Sequence, residues 1–472
     1  MKEFAVSLDP ENRKPYYEQI YEAVRDAILS GRIPRGEKLP STRSEAKFLS
    51  CSRSTVELAY DQLLAEGYLE SQPYRGYYVC DVRDLYHLPE NGREQTSSVP
   101  EEPPYPTEEY AVDFSPNGID LEHFPYASMG RIMRGLLLDK GERLLRSSAP
   151  FGDGNLRQII CDYLYQSRNV NCRPGQIVIG AGNEYLQILL SQILGGGRRV
   201  AMESPTYLRA FRTFQNIGYP VEEIPMDREG MRADLLEKTA ADLIYVMPSH
   251  QFPMGTVMPM KRRLELLSWA AQEEGRYIIE DDYDSEFRYR GKPVPALQGM
   301  DRSGSVIYLG TFSRSIAPAV RVSYLVLPQR LLGCLREKCG FYSCTVPAVM
   351  QQSIYHFMKD GYFEKNLNRM RGLYKAKHDF LLGELRKRPW VKRILGENSG
   401  LHLLAAVRTG MTEEELTADC RAQGIRMYGL SEYFLSGRPA FPEPVFLFGY
   451  GGLSREEIAA GLEALDGILG KE

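Results

Sequence analysis

The sequence of 472 residues predicts two folded domains of different class joined by a polar linker. Residues 1–81 place apolar side chains at helical spacing and then alternate around a turn, which predicts a small α+β domain. Residues 82–110 are rich in Pro, Glu, Ser and Gly, which predicts a flexible linker. Residues 111–472 alternate apolar strands with helices, which is typical of an α/β domain.

The composition excludes several classes of protein. Hydrophobic residues make up 43% of the chain and charged residues 25%, as in ordinary globular domains. No segment has the roughly 20 apolar residues that cross a bilayer, and the N-terminus lacks the apolar core of a signal peptide. We therefore expect a cytoplasmic protein without membrane partners. The eight cysteines form no CxxC pairs, so we expect free thiols and no metal site.

The first domain has the pattern of three helices followed by a hairpin. The first helix is predicted between Pro15 and Gly31, with a buried stripe formed by Ile20, Val24, Ala27 and Ile28. Ser41 is predicted to cap a short second helix, and Ser52 or Ser54 a third. YLESQPYRGYYVC turns between Pro73 and Gly76 and predicts a β-hairpin. This order of elements predicts a winged helix-turn-helix.

A short segment of this domain carries a modest positive charge, as expected of a surface that binds nucleic acid. The whole chain has a net charge of −4, but residues 32–53 contain six cations and two acids, a local charge of +4. A helical oligomerisation module fits the same periodicity, and only the specific motifs decide between the two interpretations.

Three blocks in order, LPSTR, SRSTVELAYDQLLAEGYLE and a Tyr-Arg-Gly wing tip, resemble the GntR-type winged-helix domain. The resemblance implies that double-stranded DNA is bound by Arg43, Ser52, Arg53, Thr55, Arg75 and Gly76. Two positions depart from that family's pattern. Glu45 lies where a core leucine is usual, and Ser50 replaces the turn glycine.

The second domain has polar residues where its predicted strands end. The blocks QIVIGAGNEYLQILL, RRVAMESPTYLRAF, ADLIYVMPSHQFPMG, RYIIEDDYDSEF and SVIYLGTFSRSIAPAVRVSYLVLP each place a strand before a polar loop. Strands that alternate with helices predict a parallel sheet covered on both faces. Ligands of such sheets bind beyond the carboxyl ends of the strands. We therefore expect one site assembled from five loops.

Several residues in these loops favour a phosphate group. Gly182 and Asn183 lie in a small-residue turn that enters a helix, where free backbone amides attract anions. Thr311 and Ser313 add hydroxyl donors, and Arg321 adds a cation that can bind phosphate in bidentate fashion.

Three further residues favour an aromatic ring with a basic nitrogen. Asp281 directly follows a strand and is placed to keep a pyridine nitrogen protonated. Tyr207 is a candidate for stacking on the ring, and Tyr283 for donating to its phenolic oxygen. Each feature alone is usually a turn or loop anchor, so the prediction depends on the combination.

The second domain resembles fold-type I aminotransferases in three blocks, SHQFPMGTVMP, IIEDDYDSEF and GTFSRSIAPAVRVSYLVLP. Together with the winged helix, these blocks resemble the MocR/GabR family of regulators across almost the entire chain. The resemblance implies pyridoxal 5′-phosphate as cofactor, a homodimer with sites near the subunit interface, and regulation of B6 or amino-compound metabolism. It also implies a large subdomain over about residues 150–330 and a small one over about 331–472.

Arg314 is the most informative departure from this pattern, because it occupies the place of the family's Schiff-base lysine. A guanidinium stays protonated and is neither a useful nucleophile nor a general base. Three interpretations remain open. We favour the first, in which Arg314 pairs with a non-covalently held cofactor or with a preformed cofactor–amino acid adduct. In the second, the site has lost the cofactor, and in the third, the arginine was engineered. All three predict negligible transamination. Lys261 and Lys292 lie in other blocks.

The family's arginine for a substrate carboxylate is also missing, since VFLFGYGG places Leu447 there. Arg209, just after Tyr207, is the candidate for binding the effector. Arg426 and Arg438 are weaker candidates because their register is uncertain. We therefore do not expect an ordinary α-amino acid as effector.

These patterns together predict a DNA-binding transcription regulator. A small effector, either an amino compound or a B6 vitamer, is expected to change how a homodimer places its two winged helices on a DNA operator. One alternative is a pyridoxal phosphate-dependent aminotransferase with an attached DNA-binding domain, which Arg314 argues against. The other is a constitutive DNA-binding dimer with a degenerate pocket.

Overall fold

The computed structural model describes residues 8–10, 12, 14–81, 110–146, 148–289, 294–398, 400–436 and 441–470, without the side chains of residues 140 and 143. The chain divides into two compact units, Met1–Thr107 and Glu108–Glu472. The predicted linker lies outside the described residues except for Tyr110. No helix in the described part of the chain is long and apolar enough to cross a membrane.

The first unit has the predicted three helices and hairpin. Its elements are α1 Tyr16–Leu29, α2 Thr42–Phe48, α3 Arg53–Ala65, β1 Leu69–Gln72 and β2 Gly76–Val79. The two strands are antiparallel, with Leu69 opposite Val79. The hydroxyls of Ser41 and Ser52 accept hydrogen bonds from the amides of Ser44 and Thr55 at 3.1 and 3.2 Å. The predicted cap of α2 is confirmed, and of the two candidates for α3 the structure has Ser52.

The helices of this unit enclose one core, formed mainly by apolar residues of α1 and α3. Its members include Ile20, Val24, Ala27, Ile28, Val56, Ala59, Tyr60 and Leu63. Glu45 of α2 lies among them with 2% of its surface exposed. Ser50 has a φ of 54°, the left-handed region in which glycine carries less strain. Both departures noted in the sequence therefore fall at sites where the fold favours the usual residue.

The second unit contains two sheets and the helices that cover them. Its helices are α4 Tyr126–Leu144, α5 Gly154–Arg168, α6 Asn183–Leu194, α7 Leu208–Ile217, α8 Met260–Gln272, α9 Leu332–Cys339, α10 Ala348–Lys359, α11 Tyr362–Lys387, α12 Glu413–Ala422 and α13 Arg455–Leu469. Its strands are β3 Val112–Asp113, β4 Ile177–Gly180, β5 Val200–Ser204, β6 Val221–Asp227, β7 Gly230–Met231, β8 Leu243–Val246, β9 Tyr277–Asp282, β10 Val306–Thr311, β11 Ser323–Val326, β12 Val391–Leu395, β13 His402–Val407, β14 Ile425–Arg426, β15 Tyr428–Gly429 and β16 Val445–Gly449.

The larger sheet has the strand order β4-β11-β10-β9-β8-β5-β6-β7. Strands β10, β9, β8, β5 and β6 are parallel, as predicted. The expectation of a wholly parallel sheet is wrong, because β11 runs antiparallel to both β10 and β4, and β7 runs antiparallel to β6. This arrangement brings the start of β11 to the same edge as the ends of β4, β5, β8, β9 and β10.

The smaller sheet has the order β12-β13-β16-β15, and its pairs are antiparallel. It packs against α11 and α13 in a separate core that also contains Phe114 from the start of the unit. Residues of α9 and α10, such as Leu335 and Phe357, pack instead in the cores that flank the larger sheet. The expected boundary between the subdomains near residue 331 stays a prediction.

Candidate functional site

The six predicted DNA-contacting residues lie at the start of α3, on α2 and at the hairpin tip. The exposed side chain of Arg53 forms an ion pair with Glu57 at 2.8 Å, one turn further along α3. The Ser52 hydroxyl caps α3 and lies 2.7 Å from the Thr55 hydroxyl. Because the first backbone amides of a helix attract anions, this end of α3 is suited to a phosphate.

The hairpin tip and α2 supply the remaining cations of this surface. Arg43 is exposed on α2, and Arg75 is exposed in the turn before Gly76. Tyr74 was not singled out in the sequence, yet its ring is fully exposed at the same tip with a φ of 60°. Arg35 is engaged by Asp81, so one cation of the basic segment is already neutralised.

In the second unit, a cavity of about 230 Å³ opens at the edge of the larger sheet where its strands end. All of the predicted cofactor and effector residues line it: Gly182, Asn183, Tyr207, Arg209, Asp281, Tyr283, Thr311, Ser313, Arg314 and Arg321. The side chains of Asn117, Glu184, Met247, Phe252, Pro318 and Ser323 complete the lining.

Asp281 forms the deep end of this cavity at the end of β9, with 2% of its surface exposed. It accepts a short hydrogen bond from the Tyr245 hydroxyl and longer ones of 3.4 Å from the Asn183 amide. No described cation pairs with it, and burial raises its pKa to about 7. The Asn183 Oδ1 beside it is buried and accepts no hydrogen bond from the described residues. A cationic donor is therefore the group that this end lacks.

Arg321 and Gly182 form the opposite end. The Arg321 Nη2 donates to the Ala181 carbonyl at 3.1 Å and to a Glu184 carboxylate oxygen at 3.2 Å. Gly182 precedes α6 with a φ of 103°, and a Cβ there would lie 2.1 Å from Nη2. Glycine is thus required for the guanidinium to approach this turn.

Three hydroxyl groups lie beside Arg321 in a hydrogen-bonded chain. The Ser323 hydroxyl donates to Thr311 Oγ1 at 2.9 Å, and the Thr311 hydroxyl donates to Ser313 Oγ at 3.1 Å. Arg321, Arg314 and Arg209 outnumber the two acids of the lining, so the cavity favours an anion.

Two tyrosines form the walls between these ends. The rings of Tyr207 and Phe252 meet edge to face at 5.6 Å. The Tyr283 hydroxyl lies 3.0 Å from His250 Nδ1, which also lies 2.8 Å from a carboxylate oxygen of Asp284. Because a carboxylate only accepts, Nδ1 carries the proton and donates it to Asp284, so the Tyr283 hydroxyl does not donate to Nδ1. The hydroxyl proton of Tyr283 is then free for a ligand.

Arg314 lies on the same side as Tyr283, with its Cζ 6.0 Å from the centre of that ring. Its Nη2 donates to Asn117 Oδ1 at 2.7 Å. Its Nη1 is buried and donates to no described residue. Among the described residues that line the cavity, none is a lysine.

The other candidates from the sequence lie elsewhere. Leu447 of β16 is fully buried in the core, and Arg426 of β14 lies 4.0 Å from Asp113. Lys261 is exposed on α8 and faces Glu265. Lys292 and Arg438 lie outside the described residues. No cluster of metal-ligating side chains occurs within the described ranges.

Sequence reasoning missed several residues of the cavity. Ser323 and Glu184 adjoin predicted residues and could have been found from that proximity. Asn117 is remote from Arg314 in the chain and has no motif around it. His250 stands in the SHQFPMG block, but nothing in the sequence indicates that it contacts Tyr283.

Comparison with known families matches both units. The model described as aminotransferase class I and II matches residues 127–441, and that of the bacterial regulatory proteins of the gntR family matches residues 16–79. The HTH-type transcriptional regulator YdeL of Bacillus subtilis is 38% identical, covering 96% of each chain.

Two further relatives have more informative names. The probable rhizopine catabolism regulatory protein MocR of Rhizobium meliloti is 31% identical, covering 97% of this chain and 94% of its own. The pyridoxine biosynthesis regulator PdxR of Corynebacterium glutamicum is 30% identical, covering 95% of each. Among solved structures, LysN, the α-aminoadipate aminotransferase of Thermus thermophilus, complexed with N-(5′-phosphopyridoxyl)-L-leucine, has a TM-score of 0.66 at 26% identity, covering 76% of this chain and 92% of its own.

Proposed function

The chain belongs to the MocR-type transcriptional regulators, which join a GntR winged helix to an aminotransferase-like domain, and we propose that its cavity binds pyridoxal 5′-phosphate or a related B6 vitamer non-covalently as the effector of DNA binding. The observation that carries the proposal is Asp281, a buried carboxylate that pairs with no described cation, at one end of a cavity whose other end carries Arg321 and three hydroxyls. PdxR, the relative named for pyridoxine biosynthesis, supports the same ligand class.

The residues of the cavity fit a phosphorylated pyridine. A protonated ring nitrogen would give Asp281 the cationic donor that it lacks, and the ion pair would return its pKa toward the usual range. Arg321 and the hydroxyls of Thr311, Ser313 and Ser323 would hold the phosphate. The walls formed by Tyr207 and Tyr283 would contact the ring and its phenolic oxygen.

The chemistry at the cavity favours binding without turnover. When bound to a lysine amine, pyridoxal 5′-phosphate supplies an electron-withdrawing ring for reactions at amino acids. The described lining contains no lysine, and the guanidinium of Arg314 neither attacks a carbonyl nor carries protons to and from carbon at neutral pH. Reversible occupancy is therefore the property that this cavity provides to a regulator.

The winged helix is proposed to bind double-stranded DNA with the start of α3 and the hairpin tip. Arg43, Arg53, Ser52 and Thr55 would contact phosphates or base edges, and Arg75 with Gly76 would enter the minor groove. As a homodimer, the protein would read two half-sites related by symmetry.

Titration with pyridoxal 5′-phosphate tests the ligand. We expect a saturable change in absorbance and, after borohydride treatment, an unchanged intact mass, since the described lining contains no lysine that could be reductively alkylated. The R314K variant is the matched control, because its amine should yield the mass of one phosphopyridoxyl group. If the wild-type protein shows no saturable binding, the cavity does not hold this ligand.

A DNA selection tests the coupling. Full-length protein would be used to enrich binding sites from a random double-stranded library, and the affinity for the enriched site would be measured with and without pyridoxal 5′-phosphate. We expect the affinity to change with the vitamer and to be unaffected by it in the R321Q variant. An affinity that is the same under all conditions would leave a constitutive DNA-binding dimer instead.

A further inference from the structure

We infer that Arg314 makes the cavity select B6 vitamers by the substituent on carbon 4 of the ring, so that it accepts an aldehyde or a carboxylate there and rejects the aminomethyl group of pyridoxamine 5′-phosphate. The inference rests on the proposed function, namely that the cavity holds a phosphorylated pyridine. It adds a ligand preference that follows from the side chains around one wall.

The position of Arg314 relative to the ring follows from the three other anchors. Carbon 4 lies opposite the ring nitrogen, between the carbons that carry the phenolic oxygen and the phosphate arm. With the nitrogen at Asp281, the phosphate at Arg321 and the phenolic oxygen at Tyr283, the carbon 4 substituent points away from Asp281. Arg314 flanks Tyr283 on this side of the cavity, 6.0 Å from its ring centre.

Arg314 can only donate hydrogen bonds, and one of its donors is unused. Nη2 is engaged by the Asn117 amide oxygen at 2.7 Å, whereas Nη1 is buried and has no acceptor among the described residues. A buried donor is costly unless an acceptor reaches it. An aldehyde oxygen is such an acceptor, and a carboxylate adds a compensating charge.

An aminomethyl group has the opposite properties. At neutral pH it is an ammonium with three donors and no acceptor, so it repels the guanidinium and leaves Nη1 unpaired. The three strongest acceptors of the described lining are already used. Asn117 Oδ1 already accepts a hydrogen bond from Arg314. The Glu184 carboxylate forms ion pairs with Arg321 at 3.2 Å and with Arg209 at 3.8 Å. The Asp281 carboxylate is assigned to the ring nitrogen. The hydroxymethyl vitamer, which both donates and accepts, should lie between the two.

The test is the affinity of the full-length protein for pyridoxal 5′-phosphate and pyridoxamine 5′-phosphate by titration calorimetry, with the wild type and the R314Q variant. We expect the wild type to bind the amine at least about 10-fold more weakly, which corresponds to about 1.4 kcal/mol. Glutamine has no charge and both donates and accepts, so R314Q should gain affinity for the amine and lose most of the discrimination. Thermal melting of both proteins checks that the substitution leaves the fold intact.

The outcomes separate the inference from the function on which it rests. If both vitamers bind the wild type equally well, or if R314Q keeps the wild-type ratio, the selection by Arg314 is refuted while the B6 site stands. If neither vitamer binds, the proposed function fails and the inference fails with it.

Discussion

Replacing Asp281 by asparagine is expected to stabilise the ligand-free protein above neutral pH and, at the same time, to weaken its binding of pyridoxal 5′-phosphate. The Asp281 carboxylate is buried and receives hydrogen bonds from two neutral groups, the Tyr245 hydroxyl and the Asn183 amide. Asparagine has the same shape without the charge. Its new amide can donate to Asn183 Oδ1, which is buried and unpaired among the described residues.

The magnitude follows from the pKa of about 7 in the folded protein against 3.8 for an ordinary aspartate. At 1.36 kcal/mol per pH unit, the ionised carboxylate costs the ligand-free fold about 4 kcal/mol at pH 8. At pH 5 the folded carboxyl is protonated while the unfolded one is mostly ionised, and the same linkage leaves less than half of that cost. Because the folded state binds the proton more tightly, this cost grows as the pH rises from about 4 to about 7.

Calorimetric melting of the ligand-free wild type and D281N at pH 5 and pH 8 measures this effect. The variant should melt higher at pH 8, and more than half of its advantage should disappear at pH 5. E203Q is the matched control, since burial also raises the pKa of Glu203 to about 7 but Glu203 does not line the cavity. It should show a similar pH dependence with unchanged affinity for the vitamer. The reasoning is refuted if D281N melts below the wild type at pH 8.

Three further changes test other parts of the structure. S50G should stabilise the winged helix by about 1 kcal/mol in a thermal melt, because Ser50 has a φ of 54°, which glycine adopts with less strain. If the substitution has no effect, the turn carries no strain. R53A should weaken DNA binding by about 1–3 kcal/mol. If Arg53 contacts a phosphate, the substitution should also reduce the slope of log affinity against log salt concentration by about 1. An unchanged affinity would show that Arg53 is not part of the interface. R321Q should lower the affinity for inorganic phosphate and pyridoxal 5′-phosphate by about 1.5–3 kcal/mol in calorimetry, and equal affinities would place the phosphate elsewhere.

The sequence predicted those features whose cause is local. Ser41 and Ser52 precede helical stripes, and a hydroxyl at such a position caps the helix whatever lies around it. Most of the described cavity lining was also predicted, because the ends of parallel strands meet at one edge of a sheet. Asp281 and Thr311 occupy neighbouring strands for that reason.

Features that depend on distant parts of the chain were not predicted. The direction of β11 is decided by its place between β10 and β4, and its residues alone do not reveal it. Asn117 reaches Arg314 from a segment that precedes the whole sheet. Likewise, α9 and α10 have amphipathic sequences that suit either subdomain, so only packing shows that they cover the larger sheet.

The energetics of Asp281 also bear on how a ligand could regulate DNA binding without a covalent bond. A ligand can shift an equilibrium only by the difference between its affinities for the two states. The uncompensated carboxylate costs the ligand-free domain about 4 kcal/mol at pH 8, and a ring cation relieves that cost only while it is bound. A tenfold change in operator affinity requires a difference of about 1.4 kcal/mol between the two states, so relief of the Asp281 cost would regulate DNA binding only if it differed between them by that amount. Because no lysine in the described lining would retain the ligand, this free energy would follow the ligand concentration, which is the response that the proposed sensor requires.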